Sequence, residues 1–260
     1  MTSSYRNGLS PSVKVGEVFE TYRGGFCTII KYENCAKVTV KFNDHFGHIA
    51  KCTVNCLRRG NVKNPYYPII SGVGYIGVGK YLTNQFGKST KPYEVWSGMM
   101  DRCYGLDRKK RNVSYVGCEV DSQWHNFQVF AEWYCNHESY GLGYHLDKDL
   151  MVTGNKLYSA DNCCMIPKEI NSAISLKPNK NSLLPLAVHD YKGKFRSKIG
   201  AGFAGKSIHL GTFDTPEEAS AAYVQAKERY IKNLALDWAN RIEWKAFKAL
   251  MEWKVYPDQA

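Results

Sequence analysis

The sequence predicts an α+β fold with a small antiparallel β-barrel, then a strand–strand–helix unit with flanking helices, and a C-terminal three-stranded sheet plus a helix. Three patterns predict it. Apolar and polar residues alternate along Lys37–Phe42, as in a strand with one buried face. Apolar residues recur at helical spacing in Tyr93–Tyr104 and Trp124–Tyr134. Thr215 and Glu218 form the capping box of a further helix.

The charge balance favours a polyanionic partner. The 260 residues carry 35 Lys and Arg against 24 Asp and Glu, a formal net charge of +11. Residues 1–90 hold 12 basic and 4 acidic side chains, and residues 181–232 hold 8 and 5, whereas residues 91–180 hold 11 of each. Because cations that neutralise phosphates release condensed counterions, such regions bind nucleic acid strongly. We therefore expect binding surfaces on both sides of a neutral middle.

Two other classes of protein are not expected. The chain has no run of about 18 apolar residues, and its polar start lacks the apolar core of a signal peptide, which argues against membrane insertion and secretion. Nine cysteines without an export signal predict reduced thiols rather than disulfides. Cys52 and Cys56 could belong to a zinc site, but no second pair completes a four-ligand set.

The first predicted domain covers residues 1–65 and is a basic barrel. Its predicted strands are Val15–Thr21, Cys27–Tyr32, Lys37–Phe42 and Ile49–Leu57. In the third strand Val38, Val40 and Phe42 point inward, and Lys37 and Lys41 point outward. The pattern is similar to small Tudor-like or KOW-like barrels of DNA- and RNA-associated proteins, which makes Lys37, Lys41, Arg58 and Arg59 candidate nucleic-acid contacts. The alternative is a solvated lysine-rich surface.

Residues 66–90, rich in Gly, Pro, Asn and Tyr, are predicted to be an extended linker. They include Gly72-Val73-Gly74-Tyr75-Ile76-Gly77, which has the G-x-G-x-x-G spelling of a dinucleotide-binding loop. That fingerprint needs a helix directly after it and an acidic residue about 20 positions on, and neither is present. We interpret the segment as a loop.

A basic run follows the first helix of the middle domain, predicted at residues 91–180. It consists of Arg108, Lys109, Lys110 and Arg111. In a loop between two helices these cations could clamp a phosphate, and they could equally form a solvated turn. Both interpretations remain open at this point.

The most informative stretch runs from His145 to Asn171 and reads as strand, loop, strand and helix. An acidic strand end facing the helix could hold one divalent cation through oxygen ligands, with positions left for phosphate and water. Together with the W-x2-M-x2-R-C-Y pattern at Trp96–Tyr104, this layout resembles the HNH-like proteins of bacteriophages. The resemblance implies a ββα-metal nuclease scaffold, Mg²⁺ or another divalent cation if the centre is active, and the cytoplasm of an infected bacterial host.

Carried over by position, Asp147 would be the metal-binding acid, Asn162 the central Asn that orients the loop, and Asn171 the last metal ligand. The family pattern has a His directly after the Asp as general base, where this chain has Lys148. A lysine of ordinary pKa is protonated at pH 7, so Lys148 would serve only if burial lowered its pKa strongly. His145, on the same strand side as Asp147, is the candidate substitute base. The alternative for His145 is a structural role.

The last third of the chain alternates again. In Gly193–Ile199 the cations Lys194, Arg196 and Lys198 share one strand face. The next strand is predicted at Ser207–Phe213, with His209 and Ser207 on one face. A helix then begins after the N-cap Thr215, with Pro216 in its first turn.

This arrangement, read from Gly205 to Tyr223, resembles the APETALA or ethylene-response-factor DNA-binding domain, here over residues 181–232. In that family a three-stranded sheet lies in the major groove. The resemblance implies that Lys194, Arg196, Lys198 and His209 face nucleic acid. The predicted first strand, Leu186–Asp190, lacks the arginines of the family, which weakens the case for base reading more than for phosphate binding.

The tail, residues 233–260, is predicted to be helical. Its apolar stripe consists of Ala239, Ile242, Ala246, Leu250 and Trp253. We expect this stripe to pack against the neighbouring domain, and the alternative is a partner helix.

Two functions compete on the sequence. The preferred one is a nucleic-acid-binding protein on an HNH scaffold whose catalytic centre has degenerated. It would bind DNA or structured RNA such as ribosomal RNA, either free or in a ribonucleoprotein. The other is a metal-dependent, site-specific HNH homing endonuclease. Binding is preferred because Lys148 replaces the group that the chemistry most needs. The oligomeric state stays open.

Overall fold

A computed structural model describes residues 13–106, 115–176, 184–200 and 207–255. These residues form two compact units, one drawn from Met1–Val116 and Ser122–Glu132, the other from Gly117–Asp121 and Trp133–Ala260. The predicted boundaries at 180 and 232 fall inside the second unit, and separate folding of those segments remains a prediction.

The described elements confirm the α+β class. The chain begins with β1 (Val18–Thr21), β2 (Gly25–Asn34), β3 (Lys37–Phe42), β4 (Ile49–Cys52), α1 (Val54–Arg58), β5 (Asn84–Gln85), β6 (Lys88–Ser89) and α2 (Lys91–Tyr104). It continues with β7 (Glu119–Val120), a 3-10 helix (Ser122–His125), α3 (Phe127–Asn136), β8 (His145–Asp147), β9 (Leu157–Tyr158), β10 (Cys164–Ile166), α4 (Lys168–Ile174), β11 (Val188–Tyr191), β12 (Lys194–Gly200), β13 (Ser207–Phe213), α5 (Pro216–Trp238) and α6 (Trp244–Glu252). Among these helices, none combines the length and apolar content needed to cross a bilayer.

The first unit opens with an antiparallel sheet of order β1-β2-β3-β4. Val38, Val40 and Phe42 are buried, which confirms the alternation predicted for β3. The predicted barrel is wrong, because β1 and β4 are the two edges of the described sheet and do not pair with each other.

The reason lies in the predicted fourth strand, which ends at Cys52 instead of Leu57. The side chain of Thr53 accepts a hydrogen bond from the backbone N–H of Cys56 and caps α1. The chain therefore turns into a short helix before it could extend the sheet toward β1.

Helices α2 and α3 bury the apolar stripes that their spacing predicts. Trp96, Met99 and Met100 of α2 are buried, as are Phe127 and Phe130 of α3. The indole N–H of Trp96 donates to the backbone carbonyl of Trp124 at 2.7 Å, so the buried ring has a partner for its polar atom.

Residues 75–81, inside the predicted linker, are bonded to this helical part. The backbone N–H and C=O of Tyr75 bond to His125 and Phe127, and both backbone groups of Tyr81 bond to the side chain of Gln128. Gly77 has a φ of +73°, and a Cβ at this position would collide with Asn126. Gly77 is thus needed for close packing against Asn126, and no helix directly follows this glycine-rich loop.

The second unit contains the strand–strand–helix motif and the C-terminal sheet. Strands β8 and β10 pair antiparallel, and α4 follows β10 directly. Strands β11, β12 and β13 form an antiparallel sheet in that order, against which α5 packs through Ala219 and Tyr223. Thr215 and Glu218 form the predicted capping box at the start of α5.

The tail packs as predicted. Ile242, Ala246 and Leu250 are buried, and α6 contacts both α5 and β10. The predicted helix is interrupted between Trp238 and Trp244, where the chain turns from α5 into α6.

This turn is fixed by a buried carboxylate, that of Glu243. Its Oε1 accepts the backbone N–H of Met165 at 3.0 Å and lies 2.8 Å from Nε2 of His137. Nδ1 of His137 accepts the backbone N–H of Ser139, which places the ring proton on Nε2, the atom that donates to Glu243. Burial raises the pKa of the Glu243 carboxyl, but the hydrogen bonds from His137 and Met165 and the charge of Lys245 outweigh burial and hold the pKa below its ordinary value.

We predict that Glu243→Gln lowers the free energy of unfolding at pH 7 by about 1–3 kcal/mol, because a neutral amide binds these buried donors less strongly. A carboxyl whose pKa is lower in the folded state stabilises the fold above its unfolded pKa, and this stabilisation disappears on acidification. The difference between the two proteins should therefore shrink as the pH falls below about 4.3.

Urea unfolding across this pH range measures the effect, with Glu252→Gln as control, since Glu252 is an exposed residue of the same helix. Equal destabilisation by the two substitutions would contradict a special role of Glu243.

Candidate nucleic-acid interface

The C-terminal sheet has one covered and one open face. Val188, Ser197 and Ile199 are buried on the face that α5 covers. The alternation of β12 therefore places Lys194, Arg196 and Lys198 on the opposite side, as predicted. We call this side the outer face; its members are His189, Tyr191, Lys194, Arg196, Lys198, His209 and Thr212.

Arg196 lies at the centre of the outer face. In the sheet register it is flanked by His189 of β11 and Thr212 of β13. Its guanidinium carbon lies 4.2 Å from the centroid of the Tyr191 ring, a close cation–π contact. Its Nε is buried and has no hydrogen-bond partner in the structure. The aromatic ring thus holds a planar donor group in place on an otherwise hydrated surface.

Two further cations flank this arginine. Nζ of Lys194 lies 2.7 Å from the carboxylate of Asp214, whose hydrogen bond raises the lysine pKa. Both side chains are more than half exposed, at 57% and 78%, so the ion pair contributes little to the free energy of unfolding. Lys198 stands opposite His209 across the β12–β13 pair, which brings these two predicted contacts together.

The sequence analysis missed Tyr191 and His189 as members of this surface. Both lie in β11, which pairs Tyr191 with Lys194 and His189 with Arg196. This strand has none of the arginines of the resembled family and was therefore not predicted to bind nucleic acid. Strand alternation alone nevertheless places the two rings on one face. The sequence signal for this surface was Tyr191, an aromatic residue directly before the Lys192-Gly193 turn.

The other predicted cations are spread over the first unit. Lys37 and Lys41 are exposed on the outer side of β3, as predicted. Arg58 is the last residue of α1 and Arg59 its C-cap, so both belong to a helix end and not to the predicted strand. The basic run Arg108–Arg111 lies outside the described residues.

The strand–strand–helix motif brings two of its predicted residues together. Nδ2 of Asn171 in α4 lies 3.3 Å from Nδ1 of His145 in β8. His145 and Asp147 are two positions apart in β8, opposite Ile166 and Cys164 of β10. The pairing of β8 with β10 and the helix α4 directly after β10 bring these residues close together, and the ββα-metal layout remains a prediction.

The carboxylate of Asp147 is used by the loop that follows it. Its Oδ1 accepts the backbone N–H groups of Asp149 at 2.9 Å and of Leu150 at 2.8 Å. Burial raises the pKa of Asp147, and these two hydrogen bonds only partly offset that effect. An acid that binds a metal ion is favoured in its ionised form, whereas this environment disfavours ionisation.

Lys148 has a structural role in this loop. It is only 4% exposed, and its Nζ donates to the carboxylate of Asp149 and to the carbonyl of Asn155 at 2.7 Å. A general base must accept a proton, whereas this amino group donates to two oxygen atoms. The residue at the expected position of the base therefore closes the loop.

Asn155 orients the loop, a role that was predicted for Asn162. Its amide nitrogen donates to the carbonyls of Lys148 and Leu157 at 2.8 Å each, and its oxygen accepts the N–H of Leu157. The backbone N–H of Asn162 bonds to the hydroxyl of Ser159. The signal for Asn155 was its place in the Gly154-Asn155 turn between the two strands.

The donor set does not fit a divalent cation. Within the described residues, no group of three or more His, Cys, Asp or Glu side chains could hold a metal ion. Burial raises the pKa of Cys163 to about 12 and that of Cys164 as well, so both neighbouring thiols stay protonated at neutral pH. Asp147, the acid predicted to bind the metal with His145 and Asn171 nearby, already accepts hydrogen bonds from two backbone N–H groups.

Comparison with known proteins gives a short, partial match. No family model and no solved structure matches the chain. The chain is similar to Ethylene-responsive transcription factor WRI1 of Arabidopsis thaliana, with 42% identity over 45 residues, which are 17% of this chain and 10% of that protein. None of these comparisons shows an HNH or bacteriophage relationship. The matched stretch spans about a tenth of the length of that transcription factor.

Proposed function

We propose that this protein binds DNA through the outer face of the C-terminal sheet and that its strand–strand–helix motif, derived from an HNH scaffold, acts as a support. The observation that carries the proposal is Arg196, which is stacked on Tyr191 at the centre of a face that also presents Lys194, Lys198 and His209. The opposite face is covered by α5, so among the described residues of this sheet the outer face is the side that we assign to the ligand.

The chemistry of this face suits the DNA major groove. Proteins that recognise DNA through a β-sheet place their strands in that groove. There an arginine guanidinium binds the two acceptor atoms of guanine, and flanking lysines bind phosphates. The major groove of A-form RNA is too deep and narrow for side chains to read. Duplex DNA is therefore the preferred partner, and structured RNA becomes an outcome of the test.

We predict that Lys194→Ala combined with Arg196→Ala weakens binding to a short DNA duplex by about 2–4 kcal/mol, because one phosphate contact and one base contact are lost. The slope of log K against log salt should become shallower by about one for each lost phosphate contact. Fluorescence anisotropy from about 50 to about 200 mM salt measures both quantities.

Arg229→Ala with Lys232→Ala is the matched control, since it removes the same charge from α5. If this control flattens the slope equally, net charge and not the outer face drives binding. Tighter binding to the matching RNA duplex would contradict the assignment to DNA.

A second function, phosphodiester cleavage, has one observation in its favour, the contact between His145 and Asn171 in a ββα layout. It requires an ionised acid beside a base, and Asp147 and Lys148 are instead bonded within the loop. We therefore propose that the motif does not cut DNA.

We predict no nicking of plasmid DNA by the wild type with Mg²⁺ or Mn²⁺, and no loss of stability in Asp147→Asn. The Asn oxygen still accepts the two N–H groups, while the buried charge is removed. Because burial raises the pKa of Asp147 in the folded state, its ionisation opposes folding above the unfolded pKa of about 3.9, so the variant should be at least as stable at pH 7.

Agarose gels and thermal unfolding measure these two outcomes. Nicking by the wild type that Asp147→Asn abolishes would replace our interpretation with that of an active nuclease.

A further inference from the structure

A small hairpin in the first unit carries a strongly exposed aromatic ring. Strands β5 and β6 pair Asn84 with Ser89 and Gln85 with Lys88, and Phe86 and Gly87 form the two-residue turn between them. The Phe86 side chain is 95% exposed. Neither the sequence analysis nor the proposed function uses this hairpin.

The backbone at this tip is unfavourable for phenylalanine. Phe86 has a φ of +51° and Gly87 a φ of +78°, the combination of a type I′ turn. Asn or Gly is preferred at the first of these positions, and a bulky residue with positive φ is an outlier. Because the ring is also exposed to water, burial within the described fold does not compensate for the strain.

Hydrogen bonds anchor the backbone of the hairpin that carries the ring. The side chain of Asn84 accepts the N–H of Gly87 at 3.1 Å. At the base, Thr90 donates its N–H to Thr83 and its hydroxyl to the carbonyl of Leu82. Helix α2 begins at the next residue, so the tip extends from an anchored element.

The charge of the segment identifies the kind of partner. Between residues 77 and 93 the chain has Lys80, Lys88 and Lys91 and no Asp or Glu. Lys80 and Lys91 form ion pairs with Glu132 and Glu94, whereas Lys88 lies beside the tip and opposite Gln85. An apolar ring next to a cation, without an acid on the hairpin, complements a base stack and its phosphates.

We propose that Phe86 is a wedge that inserts between two stacked base pairs of duplex DNA, with Lys88 on an adjacent phosphate. Proteins that kink DNA insert Phe, Leu or similar side chains into a base step in this way. The strain at Phe86 fits this role, because a contact outside the fold would explain why an aromatic ring occupies a position that suits Asn. This inference rests on the proposed DNA binding and assigns a second, independent contact to the first unit.

The test is fluorescence of 2-aminopurine placed at TpA steps of a short DNA duplex, because these steps unstack easily and the probe brightens when it is unstacked. The full-length wild type should raise the fluorescence. Phe86→Asn should abolish the rise and weaken binding about tenfold, as expected for a central contact residue. Because Asn fits the turn, the same variant should melt at an equal or higher temperature than the wild type, which separates loss of contact from loss of fold.

Two further variants sharpen the result. Phe86→Leu should keep most of the fluorescence rise, since Leu also serves as a wedge. Leu82→Asn is the matched control, because Leu82 is an exposed apolar residue at the base of the same hairpin, and it should leave the rise unchanged.

The outcomes separate the two proposals. In one outcome the wild type binds the duplex, and Lys194→Ala with Arg196→Ala weakens this binding. If Phe86→Asn then keeps both the fluorescence rise and the affinity, the wedge proposal is wrong and the DNA-binding proposal stands. Binding by the wild type without any rise in fluorescence also overturns the wedge. If the wild type does not bind the duplex at all, the proposed function fails and the wedge fails with it.

Discussion

The second unit depends on the buried carboxylate of Glu243. It binds the backbone of β10 through Met165 and the ring of His137, and it lies at the start of α6. Lys245, two residues on, lies 3.2 Å from the same carboxylate and donates to the carbonyl of Cys163. These bonds fix the turn that follows α5, the helix that covers the C-terminal sheet. A buried charge is stable only when it is paired and hydrogen-bonded, so each of these partners is necessary for the arrangement.

Sequence patterns over a few residues correctly predicted the features that depend on near neighbours in the chain. The alternation of Val38, Val40 and Phe42 and the capping box of Thr215 depend on neighbours a few residues away, and both are present as predicted. The prediction of a barrel was wrong because closure of the sheet depends on where the fourth strand ends. The N-cap Thr53 lies inside the predicted strand Ile49–Leu57, which is rich in apolar residues. Pairing register and side-chain partners are set by tertiary contacts, so strand alternation predicted the face of Arg196 but not its stacking on Tyr191.

In the strand–strand–helix motif, the residues predicted for catalysis form hydrogen bonds within the loop. A hydrolytic centre needs an acid and a base that keep unused bonding capacity toward metal, water and substrate. Here Asp147 accepts two amides, Lys148 donates to two oxygens, and Asn155 ties both ends of the loop. The resemblance to the HNH family indicated where Asp147 and Lys148 lie in the sequence. Their bonds also depend on Asn155, a residue that the family pattern does not include.

The proposed binding surface and the exposed hairpin tip differ in what the fold does with their side chains. Arg196 is partly shielded, and its planar group is held by Tyr191, so little freedom is left to lose when a ligand binds. Phe86 is strained and fully hydrated, so a bound base step would remove apolar surface from water at a point that the fold leaves open. Residues that serve only the fold, such as Trp96 and Glu243, are buried and bonded. Features that the fold alone does not need are therefore the best guide to what this chain binds.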